Sequence, residues 1–212
     1  MEYIKQYFVL PECCIAFNAK VASSSLACSI VRKYYPERYQ QAVDDYNNTW
    51  SRYSQKFKDS LPESFQIMFK TDFENSKSFW QNICVRSRNP EKKVLLAVRE
   101  PISRFTSTCA YMQKDAELVL QALENDTSMV LEKLDGNVRR NTHFLPQSIY
   151  MDVNCKAYKF PEQARQMCCD AKLDYPLPKI NEGKHEKPIL TEQQIERVKN
   201  YYKEDFDLYN SL

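Results

Sequence analysis

A chain of 212 residues with 43% apolar and 27% charged side chains has the makeup of a folded globule, and its length suits a single domain over residues 1–212. A formal charge of +2 gives no general attraction for nucleic acid, although a local basic cluster for a small anion is compatible with it. No apolar run approaches the roughly 20 residues of a membrane-crossing helix, and the first residues lack the basic start and apolar middle of a signal peptide, which points to a cytoplasmic chain.

In chain order, the first strand candidate is "CCIAF" (13–17), followed by the turn "FNAKVASSSL" (17–26) and a helix-like segment. Over residues 36–61, Tyr39, Val43, Tyr46, Trp50, Tyr53 and Phe57 recur at steps of four and three, the stripe of a long packed helix. Next come the strand candidates "FQIMF" (65–69) and "VLLAV" (94–98). The second is apolar at every position, which suits a central strand covered on both faces. A helix is expected from Pro101, since proline fits the first helical position. Weaker strand candidates follow at "SIYMDV" (148–153) and "AYKF" (157–160). "PLPKINEGKHEKP" (176–188) reads as a loop, and Thr191 with Gln194 forms a capping-box pattern opening a final helix to about Tyr209. This alternation predicts an α/β fold with a mainly parallel central sheet flanked by helices. The eight cysteines contain no C-x-x-C pair and most lie in apolar runs, so they read as small buried hydrophobes in a reducing compartment.

Two turns carry the chemistry. In "FNAKVASSSL" a buried strand ends and a helix begins, so free N–H groups and the positive end of the helix dipole face an incoming anion. Ser23, Ser24 and Ser25 add hydroxyl donors, and Lys20 adds a mobile charge. The triphosphate loop G-x-x-x-x-G-K-[ST] is not present, because lysine stands at the strand end and glycine is absent. Alanine and serine suffice there if the turn avoids positive φ. In "VREPISRFTSTCAYM" (98–112) Arg99 stands at a strand tip, while Ile102, Phe105, Cys109 and Met112 form the apolar face of the helix that follows. Ser103 and Ser107 share another face, and a guanidinium beside a hydroxyl makes a fork for a phosphate monoester.

Together these turns resemble the sulfotransferases that use 3′-phosphoadenosine 5′-phosphosulfate (PAPS). "KVASSSL" is similar to their 5′-phosphosulfate loop, and "VREPISRFTSTCAY" to their 3′-phosphate motif R-[DE]-P-x-x-R-x-x-S. "THFLPQ" (142–147) resembles a His-x-x-Pro-Gln segment of the carbohydrate branch, and "YYKEDFDLYN" its C-terminal helix. The resemblance implies a P-loop-NTPase-like sulfotransferase fold. It implies that Lys20, Ala22, Ser23, Ser24, Ser25 and Leu26 hold the 5′-phosphosulfate, with Lys20 also stabilising the bridging oxygen that leaves. Arg99 and Ser107 would hold the 3′-phosphate, Arg104 would bind or make a structural ion pair, and Lys184, beside His185 in the charged loop, would fold over the nucleotide or stand in a plain solvated loop. PAPS would be the donor and adenosine 3′,5′-bisphosphate (PAP) the product. No metal is implied, and a saccharide hydroxyl is the favoured acceptor.

The general base stays open. The strand between the motifs offers Ile67 and Phe69 where a base is expected, with Asp72 and Glu74 just beyond. His143 is the other candidate, its unperturbed pKa giving an activity limb near 6.5. Two rival readings remain: a P-loop-like small-molecule kinase, and a non-catalytic nucleotide-binding module of the same fold.

Overall fold

The computed structural model describes residues 5–34, 36–40, 84–87, 92–127, 130–134, 137–151, 154–179 and 186–212. The predicted strand 65–69, the helix stripe beyond Tyr39, Asp72, Glu74, Lys184 and His185 lie outside the described residues.

The strands are β1 (Lys5–Val9), β2 (Cys14–Ala16), β3 (Cys84–Ser87), β4 (Val94–Arg99), β5 (Leu131–Leu134), β6 (Asn137–Arg140) and β7 (Cys155–Phe160). The helices are α1 (Ser23–Tyr34), α2 (Pro101–Met112), α3 (Ala116–Asn125), α4 (Ala164–Asp170), α5 (Glu192–Tyr201) and α6 (Lys203–Ser211). Five strands form one sheet in the order β3-β1-β2-β4-β7, and β5 pairs with β6 in a separate antiparallel ladder. β2, β4 and β7 are parallel, while β1 runs against both β2 and β3. The fold is therefore α/β with a mixed, mostly parallel sheet, as the alternation predicts.

β4 is central because both of its faces are covered. Leu95 and Ala97 pack with Ile15, Tyr158, Ile30 of α1 and Met167 of α4, whereas Val94, Leu96 and Val98 pack with Tyr7, Cys14, Ala16 and Tyr150. Leu208 and Tyr209 of α6 close that second face. α2, α3 and α5 share a further core around Phe105, Leu120 and Val198. Among the described residues five cysteines (13, 14, 28, 109, 168) are buried and unbridged, the small buried hydrophobes expected, and burial pushes the Cys28 and Cys109 thiols up to about 12.

Local signals set the element ends. Glu100 caps α2 by accepting from the Ile102 and Ser103 amides, with Pro101 in the first turn. Thr191 and Gln194 form the predicted capping box. The final helix is nonetheless two helices, broken at Tyr202, whose buried hydroxyl donates to the Phe144 carbonyl. The strand expected over 148–153 is a 3-10 turn at Ser148–Tyr150. Its Gln147 and Ser148 amides are taken by the Asp205 carboxylate instead of a neighbouring strand.

Candidate functional site

β2 leads by way of α1 toward the β3 side of the sheet, and β4 leads by way of α2 toward β7 on the other side. The chain thus reverses direction between two adjacent parallel strands, and the crevice beyond their carboxyl ends is the favoured ligand position in open α/β sheets. Both predicted turns lie there.

The first turn departs from the sequence expectation. Lys20 and Ala22 have φ of 65° and 56°, so this glycine-free loop does not avoid positive φ; it uses the left-handed region twice. Each such residue costs roughly 1–2 kcal/mol. The offset comes from α2 and its neighbours. The Arg99 guanidinium donates to the Lys20 carbonyl at 3.1 Å and Arg104 Nε donates to the Ala19 carbonyl at 3.1 Å. Hydrogen bonds from charged donors contribute about 1.5–3 kcal/mol each, enough to hold the loop. Asn18 adds a third brace, donating to the Ala97 carbonyl at 3.0 Å. The loop is thereby fixed across the crevice before any ligand arrives.

Ser23, Ser24 and Ser25 occupy the first turn of α1, half-buried, and Leu26 is buried behind them. The first turn of α1 carries no acidic side chain, whereas α2 has the Glu100 carboxylate on its first amides. Lys20 Nζ rests 4.0 Å from the centre of the Tyr111 ring. Burial, with Arg99 and Lys187 nearby, lowers the Lys20 pKa to about 8.

Arg99 and Ser107 do not hydrogen-bond to each other, and the fork expected of them would close only around a phosphate. Arg99 Nη2 donates to Ser103 at 2.9 Å, and Ser107 stands one helical turn farther along α2. Arg104 is not in an ion pair among the described residues either. It is 3% exposed, and it donates to three main-chain carbonyls, those of Ala19, Leu145 (2.8 Å) and His143 (3.4 Å). Lys20, Arg99 and Arg104 thus concentrate positive charge, and no carboxylate among the described residues hydrogen-bonds to any of them. Burial lowers the Arg99 pKa, with Glu100 opposing and Arg104 reinforcing the shift.

His143 joins the same cluster. Its ring stacks on Tyr111 with centroids 5.0 Å apart and planes 16° apart. Nδ1 lies 3.0 Å from Asn141 Oδ1, an oxygen that also accepts the His143 main-chain N–H. That oxygen acts as acceptor, so Nδ1 carries the proton and Nε2 keeps its lone pair. Burial, then Lys20 and Arg104, lowers the His143 pKa to about 4. A histidine limb near 6.5 is therefore not expected.

The residues that sequence reasoning misses are Asn18, Tyr111 and Asp205, and Gln147 stands in the "THFLPQ" segment without a role assigned to it. None is charged and exposed, and the role of each is recognisable only by its contacts. An open depression of about 740 Å³ lies to one side, between Cys109 of α2, Gln113 just past its end and the segment Lys187–Ile189. Among the described residues no group of three or more His, Cys, Asp or Glu side chains is placed to hold a metal ion, and no helix is long and apolar enough to cross a membrane. No protein-family model, no curated protein and no solved structure matches this chain, so its function has to be argued from this site.

Proposed function

We propose that the protein is a PAPS-dependent sulfotransferase, with Lys20 and Ser23–Ser25 at the 5′-phosphosulfate and Arg99 at the 3′-phosphate. The observation that carries this reading is the Arg99–Lys20 contact, which joins the two motif turns at one crevice of the sheet. A cationic cluster to which no carboxylate among the described residues hydrogen-bonds favours an anionic ligand. Basic side chains contributed by two different turns suit a ligand with two anionic ends.

In the transfer, the acceptor oxygen forms a bond to sulfur as the bond from sulfur to the 5′-phosphate oxygen breaks. The electron pair stays on that oxygen of PAP, where the Lys20 ammonium stabilises it after leaving the Tyr111 ring. The acceptor proton passes to His143 Nε2, whose lone pair is preset by the Asn141 contact. Catalysis of this kind relies on positioning and charge stabilisation. Ser107, one helical turn beyond Ser103 on α2, would add a hydroxyl donor to the 3′-phosphate. A saccharide hydroxyl would approach across the depression beside α2, with Lys187 at its edge.

The test is transfer of labelled sulfate from PAPS to a panel of saccharide acceptors, with a chelator present. Label on a saccharide supports the reading. Transfer of phosphate from ATP, dependent on magnesium, would favour the kinase alternative.

A further inference from the structure

The parallel ladder between β2 and β4 ends early. Cys14 pairs with Val94 and Ile15 with Leu95, and beyond these residues the two strands have no paired positions. At Arg99 the side of β4 that faces the crevice is met by a side chain instead of a strand. Gln147 Nε2 donates to the Arg99 carbonyl at 2.8 Å, and Gln147 Oε1 accepts from the Arg99 amide at 2.9 Å. The same oxygen accepts from Asn18 Nδ2 at 3.1 Å. Gln147 is 0% exposed, so these bonds meet no competing water.

The turn that carries Gln147 is itself anchored. The Asp205 carboxylate of α6 accepts from the Gln147 and Ser148 amides, both at 2.8 Å, and Asp205 is buried. A chain of hydrogen bonds therefore runs from the C-terminal helix through Gln147 to both walls of the crevice. We infer that Gln147 is a positioning residue that locks the Asn18–Lys20 loop to the tip of β4, so that the Lys20 and Arg99 halves bind a two-ended anion as one site. The inference rests on the anion site proposed above, but the lock can be tested without any nucleotide.

The probes are inorganic sulfate and two nucleotides, on the full chain and on Gln147→Leu. In the parent protein, NMR signals of Lys20 and Arg99 should follow sulfate with a single Kd. In Gln147→Leu they should follow two. The variant should lose about tenfold or more in affinity for adenosine 3′,5′-bisphosphate while affinity for adenosine 5′-phosphate stays within about twofold, because only the two-ended ligand profits from linked halves. Asp205→Asn, which keeps one acceptor for the turn and touches neither wall, should move the ratio the same way by less. A purely structural glutamine would weaken both nucleotides alike. That result, or an unchanged ratio in a folded variant, or two sulfate affinities in the parent, overturns the lock. A single sulfate Kd in the parent without any preference for the bisphosphate would remove the sulfotransferase reading and leave the lock standing.

Discussion

The Arg99 guanidinium donates to the Lys20 main-chain carbonyl at 3.1 Å across 79 residues of sequence. The carbonyl belongs to a left-handed residue, so the arginine both supports the strained loop and brings its own charge to the lysine. This contact makes the two basic turns interdependent.

Lys20 should make anion binding pH-dependent near neutrality. Its pKa in the free protein is about 8, lowered by burial and then by Arg99 and Lys187. An anion favours the charged ammonium, so affinity for PAP should be full below pH 8 and fall as pH rises beyond it. Calorimetry at pH 8.5 in two buffers of different ionisation enthalpy should detect proton uptake on binding. Lys20→Met should abolish that uptake. In turnover, Lys20→Ala should lower kcat more than it raises the KM for PAPS, since the charge acts on the departing oxygen. A variant with normal kcat and only weaker binding would remove that role.

His143 should remain neutral well into the acid range. Its folded pKa of about 4 lies below the unfolded value of 6.5, because burial and the Lys20 and Arg104 charges oppose protonation. The unfolded chain therefore binds the extra proton first. Stability from this residue is present above pH 6.5 and lost as pH falls toward 4, by on the order of 3 kcal/mol. Urea unfolding at pH 7 and 4.5 should show the loss, and His143→Gln should reduce it. The activity limb of a His143 base falls in the carboxylate range, so the pH profile alone does not separate it from Asp72 or Glu74. Substitution does: His143→Ala should lose roughly 10²–10⁴ in kcat while still binding PAP. A folded His143→Ala that keeps most of its activity would make the histidine structural.

Arg104 should matter for folding more than for the ligand. Its guanidinium satisfies the carbonyls of Ala19 and Leu145 from a buried position. Arg104→Met keeps much of the volume but leaves those acceptors unmet, at a cost on the order of 3 kcal/mol. Denaturant unfolding measures it. A loss below about 0.5 kcal/mol, the range of ordinary surface substitutions, would show that the carbonyls find other donors.

The framework is legible in the sequence where one signal dominates. Runs buried on both faces reveal β2 and β4, and Pro101, Thr191 and Gln194 mark helix starts. Lys20 and Arg99 are legible because each is a charge placed just after an apolar strand. β1 is missed because "KQYFV" is short and mixed in polarity. The strand expected from residue 148 is a turn over the described residues 148–151 because a distant Asp205 captures its amides, which side-chain pattern does not reveal. The Arg99–Ser103 bond depends on reach: a side chain at the strand tip meets the first turn of α2 before the second. Gln147 and Asn18 carry no charge, and their roles exist only between segments far apart in the chain.

The most direct test of the account is calorimetry of adenosine 3′,5′-bisphosphate, adenosine 5′-phosphate and ATP, on the parent protein and on Arg99→Ala. The account predicts that the bisphosphate binds far more tightly than the other two. It also predicts that Arg99→Ala loses about 1.5–3 kcal/mol or more of that binding, the range for a charged hydrogen bond, and weakens the 5′-monophosphate by less, through the lost support of the Lys20 loop. Equal affinity for the bisphosphate and the 5′-monophosphate in the parent protein would contradict it.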